Sequence, residues 1–369
     1  MDSRITNLAK NIVNYSIKCQ KGEKVLINAR DASDEIVTAL INEVYNAEGL
    51  PFVRESSAKI NKAWLNGITE EIASLQAENE LEFMKKMDCF ISIKGEINKF
   101  ETSDISSEKL KIHQLAFNPV HNERVKNTKW VILISPTPAF AQSANMSYTQ
   151  FEDLYYKVCT LDYSKMNSAM DNLKNLMEKT DKVRIVSPDT DITFSIKNIP
   201  AVKCAGEMNV PDGEVFTAPV KTSVNGRIHY NLPTTYNGIC FNNVCLDVKN
   251  GKIVNATADK QEILNSILNT DEGARYFGEF SFGLNPHIRN VFNDILFDEK
   301  MCGSIHFTPG ACYEDEAPNG NKSAIHWDMV LSQLPEHGGG EIYFDDVLIR
   351  KDGMFVLNEL KCLNPENLL

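Results

Sequence analysis

The chain is 369 residues long, 43% hydrophobic and 24% charged, the composition of a folded protein large enough for more than one core, which excludes a disordered or fibrous chain. Its formal net charge of -12 argues against a nucleic-acid or anionic-membrane surface, since such partners demand basic patches that displace counterions, and no Lys/Arg cluster with interleaved aromatics occurs. Nine scattered cysteines without a C-x-x-C read as reduced thiols, and no signal-peptide core or run of about 18 apolar residues is seen, so a cytoplasmic protein is expected.

Along the chain, residues 3–20 place Ile5, Leu8, Ile12, Val13 and Ile17 at helical spacing behind Ser3, a candidate N-cap. Lys24 to Ala29 reads as a strand, 34–47 as an amphipathic helix and P-F-V-R as a second strand. A helix near 70–87, the strand 89–93, a helix near 104–115 and the strand 130–134 continue the alternation. Strands alternating with helices imply βαβ units, so residues 1–180 are expected to form an α/β N-terminal domain with a mostly parallel sheet. No G-x-G-x-x-G follows a strand and no P-loop occurs, which leaves a nucleotide-binding reading little support. Pro136 and Pro138 end the last strand, Ser147 caps a helix from about 148, and a further helix spans about 164–179.

Past Asp181 the texture changes to short, turn-bounded segments of period 2, such as K-V-R-I-V-S and D-I-T-F-S-I, with one helix over about 258–268 and a hairpin turn at Asp352-Gly353. Residues 181–369 are therefore expected to form an α+β C-terminal domain with an antiparallel or barrel-like sheet.

Within it, the segment from Gly278 to Asp328 contains Glu279, His306, His326 and Asp328, the carboxylate and imidazole side chains that bind divalent metals. His326 and Asp328 are two apart, so an extended segment puts both on one face, and His306 lies near the end of a second short strand. Glu214 follows a Pro-Asp-Gly turn at the start of another. His113, His121, His229, His287 and His337 have no partner that the sequence names, and are read as surface or core residues.

The segments N-V-P-D-G-E-V-F-T-A-P, G-E-F-S-F-G-L-N-P, L-F-D-E-K-M-C-G-S-I-H and S-A-I-H-W-D resemble the signature segments of the aminopeptidase T family of metallo-aminopeptidases. P-T-P-A-F-A-Q-S-A-N-M-S followed by F-E-D-L is similar to the family's segment ahead of its catalytic domain, with Phe140 where a tryptophan is usual. The resemblance implies five metal ligands, at Glu214, Glu279, His306, His326 and Asp328, and a catalytic tyrosine at Tyr313. The stretch between His306 and His326 is shorter than the family's, and Glu314, Asp315 and Glu316 follow Tyr313 directly.

Five such ligands exceed what one open zinc site uses, so two divalent ions sharing a carboxylate are expected, zinc or cobalt first, with manganese or magnesium open. The expected activity is removal of N-terminal residues from short peptides by a water made nucleophilic between the ions, with Tyr313 donating to the oxyanion. Glu279 is a ligand and, if one of its oxygens stays free, a catalytic base. The resemblance also implies a homodimer. Another dinuclear-metal amidohydrolase, a phosphoesterase, or a non-catalytic protein binding metal or peptide remain the alternatives.

Overall fold

A computed structural model describes residues 2–369 and divides the chain into two units, Met1–Thr160 with Gly206–Val210, and Leu161–Ala205 with Pro211–Leu369. The division falls one helix before the boundary drawn near Asp181. Among the described residues no helix is long and apolar enough to cross a membrane.

The first unit is α/β. In order it contains α1 (Ser3–Lys10), β1 (Lys24–Arg30), α2 (Asp34–Asn46), β2 (Leu50–Ser56), α3 (Ala58–Gly67), α4 (Glu70–Met84), β3 (Cys89–Lys94), α5 (Ser107–Asn127), β4 (Lys129–Ile134), α6 (Pro138–Ser143) and α7 (Tyr148–Cys159). The strands lie parallel in the order β2-β1-β3-β4. Val25, Ile27, Ile91, Ile93, Val131 and Leu133, at alternate positions, form one fully buried face of the sheet. The other face begins with Leu26 and Phe90, clustered with Met84 and Met87, and then turns polar along the strands.

Three details depart from the sequence pattern. The cap of α1 is Asp2, whose carboxylate accepts from the Arg4 amide at 2.8 Å, so Ser3 lies inside the helix, which continues as a π-helical turn over Asn11–Ser16. The helix α3 was not foreseen. The helix expected to end near 115 runs on to Asn127 through Pro119, without a single buried residue.

The second unit starts with α8 (Tyr163–Met177), β5 (Lys182–Ser187), β6 (Thr190–Ser195) and β7 (Val202–Cys204). The excursion β8 (Asn209–Val210) pairs with β4 and belongs to the first unit. Then follow β9 (Glu214–Thr217), β10 (Asn225–Tyr230), β11 (Thr234–Tyr236), β12 (Ile239–Phe241), β13 (Val244–Lys249), β14 (Lys252–Thr257) and α9 (Gln261–Leu268). The chain ends with β15 (Phe277–Gly283), α10 (Ile295–Asp298), β16 (Ser304–Pro309), β17 (Val330–Ser332), β18 (Glu341–Phe344), β19 (Val347–Lys351), β20 (Met354–Phe355) and α11 (Pro365–Leu368).

These strands make an antiparallel sheet β14-β13-β10-β6-β5-β18-β19-β20, a second one β17-β16-β15-β9-β7, and the ribbon β11-β12. Each sheet is open at its ends, so the barrel-like alternative gives way to two antiparallel sheets sharing an aromatic core. Phe194 of one sheet packs against Phe280 and Phe307 of the other, with ring centroids 5.0 and 4.8 Å apart, and Phe277 stacks on Phe307 at 4.1 Å. The turn between β19 and β20 holds Asp352 and Gly353 at φ of 48° and 79°, the left-handed pair that a two-residue hairpin requires.

Candidate metal centre

The second sheet positions the acidic and imidazole side chains by simple alternation. On β15, Phe280 and Phe282 enter the aromatic core while Glu279 and Ser281 point the other way. On β16, Ile305 and Phe307 face the core and His306 and Thr308 oppose it. Antiparallel pairing sets Ser281 opposite both His306 and Phe216, Glu279 opposite Thr308, and Gly283 opposite Glu214. Three strands thus contribute to one patch. His326 and Asp328 lie on an extended segment that is not a regular strand: His326 makes an isolated β-bridge to Gly310, and β17 begins after Asp328. Gly310 has a φ of 113°, and a Cβ there would lie 2.1 Å from the Ile325 carbonyl oxygen, so only glycine permits this close approach.

The five residues converge in two groups, each with its donor atoms within 4.8 Å of one another: Glu214, Glu279 and His306, and Glu279, His326 and Asp328. Glu279 is common to both. His306 Nε2 lies 3.0 Å from its Oε1 and 3.3 Å from Glu214 Oε2; His326 Nε2 lies 3.1 Å from its Oε2 and 3.2 Å from Asp328 Oδ1. Glu214, Glu279 and His306 are at most 6% exposed.

Each imidazole is oriented from behind. His306 Nδ1 is 3.2 Å from the Glu299 carbonyl oxygen and His326 Nδ1 is 2.7 Å from that of Ala311. A backbone carbonyl only accepts, so both Nδ1 atoms carry a proton, and both Nε2 atoms face the carboxylates. His326 Nε2 is buried and makes no hydrogen bond. An Nε2 that faces anions calls for a cation between them, either a proton or a metal ion. Burial would lower the histidines, but the carboxylates outweigh it: His306, bonded to Glu279, is pushed up to about 9, and His326 beside Asp328 is raised well above its ordinary value. In return, despite burial, the histidines hold Glu279 and Asp328 below the usual carboxylate range. The imidazole and carboxylate donors fit divalent metal ions, which would take the place of those protons.

A second layer was not visible in the sequence. Thr308 Oγ1 donates to Asp328 Oδ1 at 2.7 Å, and Ser281 Oγ to Glu214 Oε2 at 3.1 Å. Lys300, 1% exposed, places its Nζ 2.9 Å from Glu214 Oε1 and also bonds Glu299. Burial raises Glu299 to about 8. Cys204 and Asp212 bring a further thiol and carboxylate within reach of Glu214. Only a charged residue in an otherwise apolar stretch signals Lys300, and its neighbours Asp298 and Glu299 disguise even that.

Tyr313 lies near the group, its ring centroid 5.0 Å from that of His326 and 5.3 Å from that of Phe216. It is 45% exposed, so it is no core tyrosine. Loss of water around its hydroxyl and then the charge of Glu279 raise its pKa, keeping it a donor. Glu314 pairs with Lys322 at 2.9 Å.

The family model described as thermophilic metalloprotease (M29) matches residues 1–355. Aminopeptidase AmpS of Bacillus subtilis is 23% identical over 391 residues, spanning 91% of each chain, and aminopeptidase T of Thermus thermophilus is 32% identical over 139 residues, 33% of this chain and 34% of that one. The solved structure of wild-type AmpT from Thermus thermophilus superposes with a TM-score of 0.80 at 19% identity, covering 96% of this chain and 99% of its own, which shows a shared fold. A parallel α/β unit and a unit of two antiparallel sheets, signature segments in order and a family match across nearly the whole chain agree: the chain belongs to the thermophilic metalloprotease (M29) family, the aminopeptidase T family of metallo-aminopeptidases.

Proposed function

We propose that this chain removes the N-terminal residue from short peptides, with two divalent cations held between Glu214, Glu279 and His306 on one side and Glu279, His326 and Asp328 on the other. The observation that carries this reading is the convergence of two backbone-oriented imidazoles on the two oxygens of one buried carboxylate, Glu279. Cations bound there would supply Lewis acidity, making a water nucleophilic near neutral pH and polarising the scissile carbonyl.

The protein side of the chemistry follows from the same contacts. Glu279, engaged through both oxygens, acts as the shared ligand. Since each of its oxygens meets an imidazole, the base role is the weaker of its two assignments. Tyr313 donates its hydroxyl to the developing oxyanion of the tetrahedral intermediate. The carboxylates lining the site also favour the cationic free amine of a peptide N-terminus. Nine cysteines, all unpaired, agree with a reducing, cytoplasmic setting, and a homodimer completes the reading.

The test is hydrolysis of a panel of aminoacyl-arylamides by protein stripped of metal and reloaded with zinc, cobalt, manganese or magnesium in turn. Activity on free-amine substrates, absent on N-acetylated ones and restored by at least one ion, is expected. Equal cleavage of acetylated substrates would replace this reading with that of another amidohydrolase.

A further inference from the structure

The parallel sheet of the first unit carries a feature that the peptidase reading does not use. In a sheet buried on both faces, strands read as continuous apolar runs. Here one face breaks that rule in two cross-strand rows. Register places Asn28 between Arg54 and Ser92, and Arg30 between Ser56 and Lys94. By alternation these six side chains share the face that begins with Leu26 and Phe90, at the carboxyl ends of β1, β2 and β3.

Above these rows lies a cavity of about 680 Å³, lined by them, by Trp64 of α3, and by His113, Phe117, His121 and Arg124 of α5. The four α5 residues recur at helical spacing, so they form the inner stripe of that helix. No residue of this 21-residue helix is fully buried, although Val120 packs against the cluster of Leu26, Met84, Met87 and Phe90. The cavity lies between that stripe and the polar rows of the sheet. Its volume falls in the range of small-molecule sites.

The position has a topological reason. From β1 the chain goes to β2 on one side and then to β3 on the other, and in open α/β sheets the carboxyl ends of strands flanking such a reversal form the ligand crevice. The lining is cationic. Arg54 pairs with Glu80 and Lys94 with Glu96, but among the described residues Arg30 and Arg124 have no carboxylate partner. Arg124 lies over the rings of Phe90 and Trp130, contacts His121 at 3.0 Å, and keeps a buried Nε–H with no acceptor. Burial lowers His113 and His121, so the positive charge is that of arginine and lysine. Flat apolar surface is supplied by Trp64 and by Phe117, which stacks on His113 at 4.5 Å.

The geometry points to a second binding site in this protein: a crevice on the parallel sheet that takes a small molecule with a carboxylate or phosphate group on a flat, partly apolar body. Arg30, at the carboxyl end of β1, holds the anion, and Trp64 and Phe117 flank the body.

The test uses the full-length, metal-loaded protein and two probes, adenosine 5'-monophosphate and 3-phenylpropionate, followed by calorimetry and tryptophan fluorescence. Saturable binding of at least one probe is expected, weakened ~10-fold or more in Arg30→Gln, with arylamide hydrolysis unchanged. Ser92→Phe, which fills the floor while leaving every charge in place, should abolish binding too. Binding of the nucleotide alone identifies a phosphate ligand, of the phenylpropionate alone a carboxylate, and of both a general anion site. The proposal is overturned if neither probe binds saturably, or if binding survives both substitutions, which would place it elsewhere on the protein.

Discussion

Lys300 sets its ammonium 2.9 Å from Glu214, and both side chains are withdrawn from water. The contact occupies Oε1 of Glu214 and leaves Oε2 to face His306. It also supplies one fixed positive charge to a cluster with three ligand carboxylates and Glu299. Removing one member of such a buried pair leaves the other uncompensated, so Lys300→Met should destabilise the metal-depleted protein by roughly 3 kcal/mol. Saturating zinc or cobalt should recover part of that loss, since a cation then meets Glu214. Urea unfolding with and without metal measures both, and an unchanged midpoint in the depleted protein would contradict the pairing.

Because Glu279 belongs to both donor groups, its replacement and that of a terminal ligand should differ in kind. Glu279→Gln should lose both cations, while Asp328→Asn should lose about one per chain and retain the other. Metal content after dialysis against dilute zinc, read by elemental analysis, distinguishes them. Equal stoichiometry in the two variants would argue against a shared ligand.

Tyr313→Phe removes a hydroxyl and little else, because the ring keeps its contacts with Phe216 and His326. A single oxyanion donor contributes about 3 kcal/mol, so kcat should fall ~100-fold with KM and metal content nearly unchanged. A variant with full kcat would take the tyrosine out of the chemistry.

The histidines predict opposite effects of pH on the protein with and without metal. His306 is pushed up to about 9 from an unfolded value near 6.5. A base whose folded pKa is raised contributes stability that is complete below the unfolded value and disappears as pH rises through the folded one. The chelated protein should therefore lose thermal stability between about pH 6.5 and 9, whereas its affinity for zinc should increase over the same interval as protons cease to compete. Melting temperatures of the chelated protein that stay flat over that range would refute this.

Much of the second unit was legible because its strands follow a period of two, and because the ligand-type residues sit at places where an extended chain presents them: Glu214 after its turn, His306 inside G-S-I-H-F, His326 two before Asp328. Convergence of all five was not legible from alternation; it came only with the resemblance. Lys300 and Thr308 escaped because their importance lies in register across strands, and a charged residue beside Glu299 looks like any surface position. In the first unit Asn28 and Ser92 each appear as one polar residue in an apolar run and Arg54 as the start of a polar strand end, and only pairing aligns them. The extension of α5 was hidden because no apolar stripe continues beyond Pro119.

The single bridge between Gly310 and His326 pins the two ends of the segment 311–325 together. Whatever happens to the length of that segment is thus absorbed beyond the clasp, and the imidazole at its base keeps its aim. A change in its length would alter the rim of the cleft while leaving His326 and Asp328 in place at its root, so selectivity could drift without a change in the donor groups.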